Sequence, residues 1–163
     1  MTTSASSTGA DSGIEQFLSF SVASNTRAIL PTRQLTEVLS IAINQIVPIP
    51  DVPPQVMGVC NWRGEVLWLL DLGYLLGAEP LLAQGYRQSN YSAIVAHHQG
   101  CKIGLVVDQV SQMLWCNPVQ IQPIPATQLN LEPSPYIQGY WLAPQGETLL
   151  VLHAKALVNG FHH

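Results

Sequence analysis

The sequence predicts an all-β protein with little helix, and three observations carry that expectation. Short runs of strand length, either alternating or wholly apolar, recur along the chain. Twelve prolines, scattered over the part expected to be ordered, leave no room for a long helix. The second half of the chain repeats the first, and two copies are too few for a solenoid. Each copy is therefore expected to hold about five strands and to close into a small Greek-key or SH3-like barrel, which limits the exposed sheet edge.

Residues 1–13 are rich in Ser, Thr and Gly and read as a disordered N-terminal tail, unable to bury enough apolar area to offset the entropy of ordering. The ordered domain is expected over 14–160. FLSFSV at 17–22 puts Leu18, Phe20 and Val22 on one face and Ser19 and Ser21 on the other, the period of a half-buried strand. A turn at Ser24-Asn25 would return the chain along RAIL, residues 27–30. Further strands are expected at VLWLL (66–70), SAIVAHH (92–98), KIGLVVD (102–108) and ETLLVL (147–152). One short helix, LGYLLG, follows Asp71, whose carboxylate can cap it; another, AKALVNG, is expected to close at Gly160. Residues 161–163 form a C-terminal end that could be the stub of a purification tag, and His162 and His163 are set aside.

The repeat appears when the chain is slid against itself by 75 residues. AILPTRQLTEVL at 28–39 then lies over IGLVVDQVSQML at 103–114, and QIVPIP at 45–50 over QIQPIP at 120–125. With small insertions Gly58 meets Gly139, Gly64-Glu65 meets Gly146-Glu147, and VLWLLDLGYLL meets TLLVLHAKALV. The approximate units are 17–80 and 92–160, taken as the two barrel subdomains, and the seam between them is a natural binding groove. Features present twice, the PIP segments and paired glycines, read as scaffold. Arg63 occurs once. Its counterpart region WLAPQGE carries no basic residue, and the position facing Glu37 in the repeat is the uncharged Gln112.

Composition narrows function. Charged residues are 10% of the chain, against about 25% in typical soluble domains, so some apolar surface is expected to meet another protein. Six Lys and Arg and a net charge of −4 offer no stripe for a nucleic-acid backbone. No run reaches the roughly 20 apolar residues of a membrane span, and the polar start lacks the order of a signal peptide, so a cytoplasmic location is expected. Cys60, Cys101 and Cys116 form no close pair and read as ordinary buried thiols. Glu65 and Asp71 on one strand would stand about 20 Å apart, too far for a glycosidase pair. His97 and His98, adjacent in a strand, point to opposite faces rather than at one metal. Phosphate loops are absent. Catalytic, cofactor and metal sites are therefore all expected to be none. Of the tryptophans, Trp68 is expected in the core, whereas Trp62 beside Arg63 in a turn is the pairing that interfaces favour.

The opening FLSFSV, LTEVL, PIP followed by VMGVCNWRGEVLWLLDL, then GLVVDQV, QPIP and YIQGYW resemble, in order and spacing over about residues 14–160, the CheW-like adaptor family of bacterial chemotaxis. The resemblance implies two five-stranded SH3-like barrels and no catalytic activity. It further implies an adaptor coupling the cytoplasmic tip of a methyl-accepting chemoreceptor to the regulatory domain of a CheA-type histidine kinase, recruited to receptor clusters at the membrane without inserting in it. Asn61, Arg63 and Gly64 match the family's partner-contact motif, and Leu35, Glu37 and Gly58 fall on the same surface; with Trp62 these are the expected partner-binding residues. Cys60 and Trp62 inside the motif, and His153 where an acid is frequent, depart from the pattern. The alternative reading is a small-molecule sensor that uses the groove between the two barrels.

Overall fold

The computed structural model describes residues 13–23, 26–84, 90–124 and 134–161. Ten strands follow in order: β1 (Glu15–Ala23), β2 (Thr26–Pro31), β3 (Leu35–Ala42), β4 (Val56–Trp62), β5 (Glu65–Asp71), β6 (Asn90–His98), β7 (Cys101–Val107), β8 (Gln109–Cys116), β9 (Ile137–Leu142) and β10 (Thr148–Leu152). Helix α1 (Leu72–Leu75) follows β5 and α2 (Ala154–Phe161) follows β10. They form two five-stranded sheets, ordered β8-β1-β2-β10-β9 and β3-β6-β7-β5-β4, in an all-β fold of SH3-like type. The expected turn at Ser24-Asn25 and nearly all of the expected tail lie outside the described residues.

Element by element the second half repeats the first, β1–β5 and α1 against β6–β10 and α2. The sheets, however, do not coincide with the units 17–80 and 92–160. Each sheet takes its first two strands from one half and its last three from the other. One barrel is thus the continuous stretch 35–107; the other is built from both flanks of it. The cause is geometric. Between β2 and β3 stands only the 3-10 turn Thr32–Gln34, and between β7 and β8 only Asp108, so the chain steps directly into the neighbouring barrel. Two equivalent units offer each other the same partner edges, and periodicity records strand types rather than partners.

Three apolar clusters result. One fills the barrel of β3–β7 (Ile41, Cys60, Trp62, Leu67, Leu69, Ala93, Val95), and one fills the other barrel (Phe17, Ile29, Cys116, Trp141, Leu149, Val151). The largest lies between the barrels and takes Leu18, Phe20, Leu30, Leu70, Ile94, Leu105 and the α2 residues Leu157, Val158 and Phe161. The central strands are therefore buried on both faces, alternate residues going to a barrel interior and to the shared core. This explains why SAIVAHH and KIGLVVD read as continuous apolar runs.

It also corrects the half-buried reading of β1. Ser19 is fully buried inside a barrel, at an irregularity in the β1–β8 register. Its hydroxyl donates to Gln112 O (2.8 Å) and accepts from Gln112 N (3.2 Å), so the polar atom is satisfied where the ladder slips. A second correction concerns Gly160, which does not close α2: the helix runs on to Phe161, because that ring is 93% buried against the shared core and tilts against Tyr136 at 5.7 Å. Asp71 caps α1 as expected, accepting from Tyr74 N at 3.1 Å. Its other oxygen accepts from Leu81 N at 2.7 Å.

Candidate functional site

Arg63 sits where β4 turns into β5. With φ of 52° at Arg63 and 79° at Gly64, a two-residue loop joins the paired Trp62 and Glu65, the left-handed geometry that matches the twist of a hairpin. Asn61 Oδ1 accepts from Gly64 N at 3.0 Å and holds the turn. Nothing stands within 4 Å of where a Gly64 Cβ would be, so glycine serves the backbone angle alone.

The arginine is presented outward but not loosely. Its Nη2 lies 2.6 Å from Glu37 Oε1, with 62% of the Arg63 side chain exposed. The same oxygen accepts from Trp62 Nε1 at 2.9 Å, and the guanidinium lies over the Trp62 ring, 4.8 Å from its centroid. Glu37 is thus Arg63's partner and joins β3 to the β4–β5 hairpin. Trp62, expected at the surface of the turn, is instead the last inward residue of β4: 6% exposed, in its barrel's core, and capped by cations. Trp68, expected in the core, is half-buried against the inter-barrel cluster.

Gly58 holds the same hairpin from below. Here φ is 146°, the β4–β5 register shifts between Val56 and Gly58, and a Cβ would stand 2.3 Å from Val47 O. That approach allows Val47 and Val59 to exchange two backbone hydrogen bonds, at 2.8 and 2.9 Å, before Pro48 and Pro50 lead the chain away. Gly139 repeats the device, with Gln122 and Tyr140 in place of Val47 and Val59. Gly58 belongs to the scaffold of the site. Leu35 packs on the inter-barrel core and stands apart from the Arg63 cluster.

Beside Arg63 a groove of about 460 Å³ follows the open seam between the edge strands β3 and β4, lined by Leu39, Ile41, Val47, Cys60 and Asn61. Val47 is 56% exposed there. Burial pushes the Cys60 thiol pKa up, so it stays protonated and acts as an apolar wall. No group of three or more His, Cys, Asp or Glu among the described residues is placed to hold a metal ion. None of the described helices is long and apolar enough to cross a membrane. Lys102 escaped the sequence reading, yet its ammonium lies 5.3 Å from the Trp62 ring centroid; its alignment with Arg27 in the repeat was the available signal.

The site is a charged turn, held by Glu37 and Trp62, beside an apolar seam. A chemotaxis protein CheW of Rhizobium meliloti is 37% identical over 113 residues, 68% of this chain and 67% of the relative. Another of Klebsiella aerogenes is 29% identical over 110 residues, 67% of this chain and 61% of the relative. The crystal structure of the scaffolding protein CheW from Thermoanaerobacter tengcongensis superposes with a TM-score of 0.73 at 22% identity, covering 91% of this chain and 97% of that one, and so shares the fold. With the CheW-like domain profile matching residues 16–161, the chain belongs to the CheW-like family of chemotaxis scaffold proteins.

Proposed function

We propose that the chain is a non-enzymatic adaptor that couples the cytoplasmic tip of a chemoreceptor to the regulatory domain of a CheA-type histidine kinase, with the Arg63 turn as a docking point. It acts in the cytoplasm at receptor clusters. The observation that carries this reading is the fixing of a 62% exposed guanidinium by Glu37 and Trp62 on a tight hairpin. A charged group whose geometry is set before the partner arrives loses little further freedom on binding. Among the described residues a recess between the barrels, lined by Val22, Thr26, Gly73 and Leu76, holds about 180 Å³, less than the groove of about 460 Å³ beside Arg63. A pull-down from the native cell tests the reading. Wild-type protein should recover a coiled-coil receptor and a histidine kinase together, and Arg63→Ala should lose the receptor; recovery of neither by wild type contradicts it.

A further inference from the structure

Each barrel carries one charged pair at an equivalent position, and the two are treated differently. The parallel pairings Leu69↔Gly104 and Val151↔Ile29 are the same step of the repeat in the two sheets. Counted back from them, Lys102 corresponds to Arg27 and Glu65 to Glu147. Arg27 Nη1 donates to both oxygens of Glu147, at 2.6 and 2.8 Å, while its Nη2 donates to Ser19 Oγ at 3.1 Å. Among the described residues no salt bridge joins Lys102 to Glu65.

The difference follows from the residue opposite the carboxylate. In one barrel this is Ala143, whose N–H bonds Glu147 O at 2.8 Å; its methyl leaves room for the guanidinium. In the other it is Trp62, paired with Glu65, whose indole takes that space and carries Lys102 against its ring. Arg63 is already matched by Glu37, so among the described residues Lys102 and the exposed Glu65 are the charges left over at this end of the barrel, with His97 beside Lys102 on β6.

We propose that Lys102 and Glu65 are partner-contact residues, a cation and a carboxylate kept apart by the Trp62 indole so that each meets an opposite charge on the docked protein. This rests on the reading of the Arg63 turn as a docking point. The occupant is a protein face that presents an acid and a base side by side, next to an aliphatic group for the β3–β4 seam. Charges of this kind steer association and select partners more than they add affinity.

The test measures binding of the chemoreceptor cytoplasmic fragment and the kinase regulatory domain from the same cell to wild type, Lys102→Glu, Glu65→Lys and Arg63→Ala. Each reversal should weaken the chemoreceptor fragment, the partner assigned to the Arg63 turn, by roughly three- to tenfold, mainly through slower association, and flatten its salt dependence while melting is unchanged. In the partner-free protein, a double-mutant cycle over Lys102 and Glu65 should return no coupling, whereas one over Arg27 and Glu147 should. Wild-type association by both reversals, or coupling in the first cycle equal to that in the second, overturns the proposal. If Arg63→Ala weakens binding and the reversals do not, only this proposal falls; if all three are silent, the docking reading falls with it.

Discussion

Gly58→Ala separates scaffold from contact within the motif. The added methyl carbon would stand 2.3 Å from Val47 O and 3.1 Å from an Ile46 side-chain methyl, and φ of 146° is itself unfavourable for alanine. Relief requires parting Val47 from Val59 or straightening the register shift beside it, since a backbone oxygen cannot rotate aside. Strain of this kind costs about 1–3 kcal/mol, and forced packing in a closed core a similar amount, so a loss of about 3 kcal/mol is expected. For a chain of this size that lowers Tm by roughly 6–12 °C. Gly64→Ala is the control: its φ of 79° is also left-handed, but its Cβ meets nothing within 4 Å, so about 1 kcal/mol is expected. Urea unfolding followed by tryptophan fluorescence and circular dichroism measures both. A Gly58→Ala loss no larger than that of Gly64→Ala would refute the close-approach argument.

Asp71→Asn should destabilise the protein by about 1–3 kcal/mol at neutral pH, because one amide oxygen cannot accept from both Tyr74 N and Leu81 N. Burial raises the native Asp71 pKa, so what the neutral carboxyl contributes is complete below the unfolded value of about 3.9 and is lost as pH rises through the native one. Relative to Asp71→Asn, wild-type stability should therefore fall with rising pH in that window, measured as urea midpoints; a rise would contradict it. A disulfide-exchange reagent at pH 8 should titrate the half-exposed Cys101 in the folded protein and spare the other two thiols. Cys116, pushed up to about 11 by burial and by Glu15, and the buried Cys60 should react only in urea; more than one reactive thiol before unfolding would contradict the burial described. Arg27→Met should cost more stability than Lys102→Met, by about 1 kcal/mol in urea, because of the two only Arg27 is paired with a carboxylate, through Nη1, and bonded to buried Ser19, through Nη2.

What the sequence made legible was whatever is local or repeated. Asp71 as a cap and the strands from FLSFSV to ETLLVL follow from local residue type, and the scaffold reading of Gly58 and Gly139 from a glycine seen twice, although the resemblance also put Gly58 among the partner contacts. Four strands went unassigned. LTEVLSIA and QVSQMLWC are mostly half-buried or exposed on sheet edges, and VMGVCNW and IQGYWL each carry a glycine that periodicity reads as a breaker. The exchange of strands between halves is a matter of partners, which no pattern along one strand records. Ser19 looked solvent-facing because its burial depends on a slipped register and a hydrogen bond to Gln112, 93 positions away. At the site, Arg63 was recognisable as the odd residue of the repeat, and Glu37 as a charge on the same surface that the repeat lacks. The inward turn of Trp62 was not, since its N–H needs Glu37 on another strand before an indole can close the barrel there.

Reconstituted kinase assemblies containing receptor fragment, kinase and this protein test the account most directly when Arg63→Ala replaces wild type. The substitution touches an exposed ion pair, so the unfolding free energy measured in urea should fall by less than about 1 kcal/mol while receptor control of phosphorylation collapses. A variant equally stable and fully able to place the kinase under receptor control would show that the guanidinium on the β4–β5 turn docks nothing.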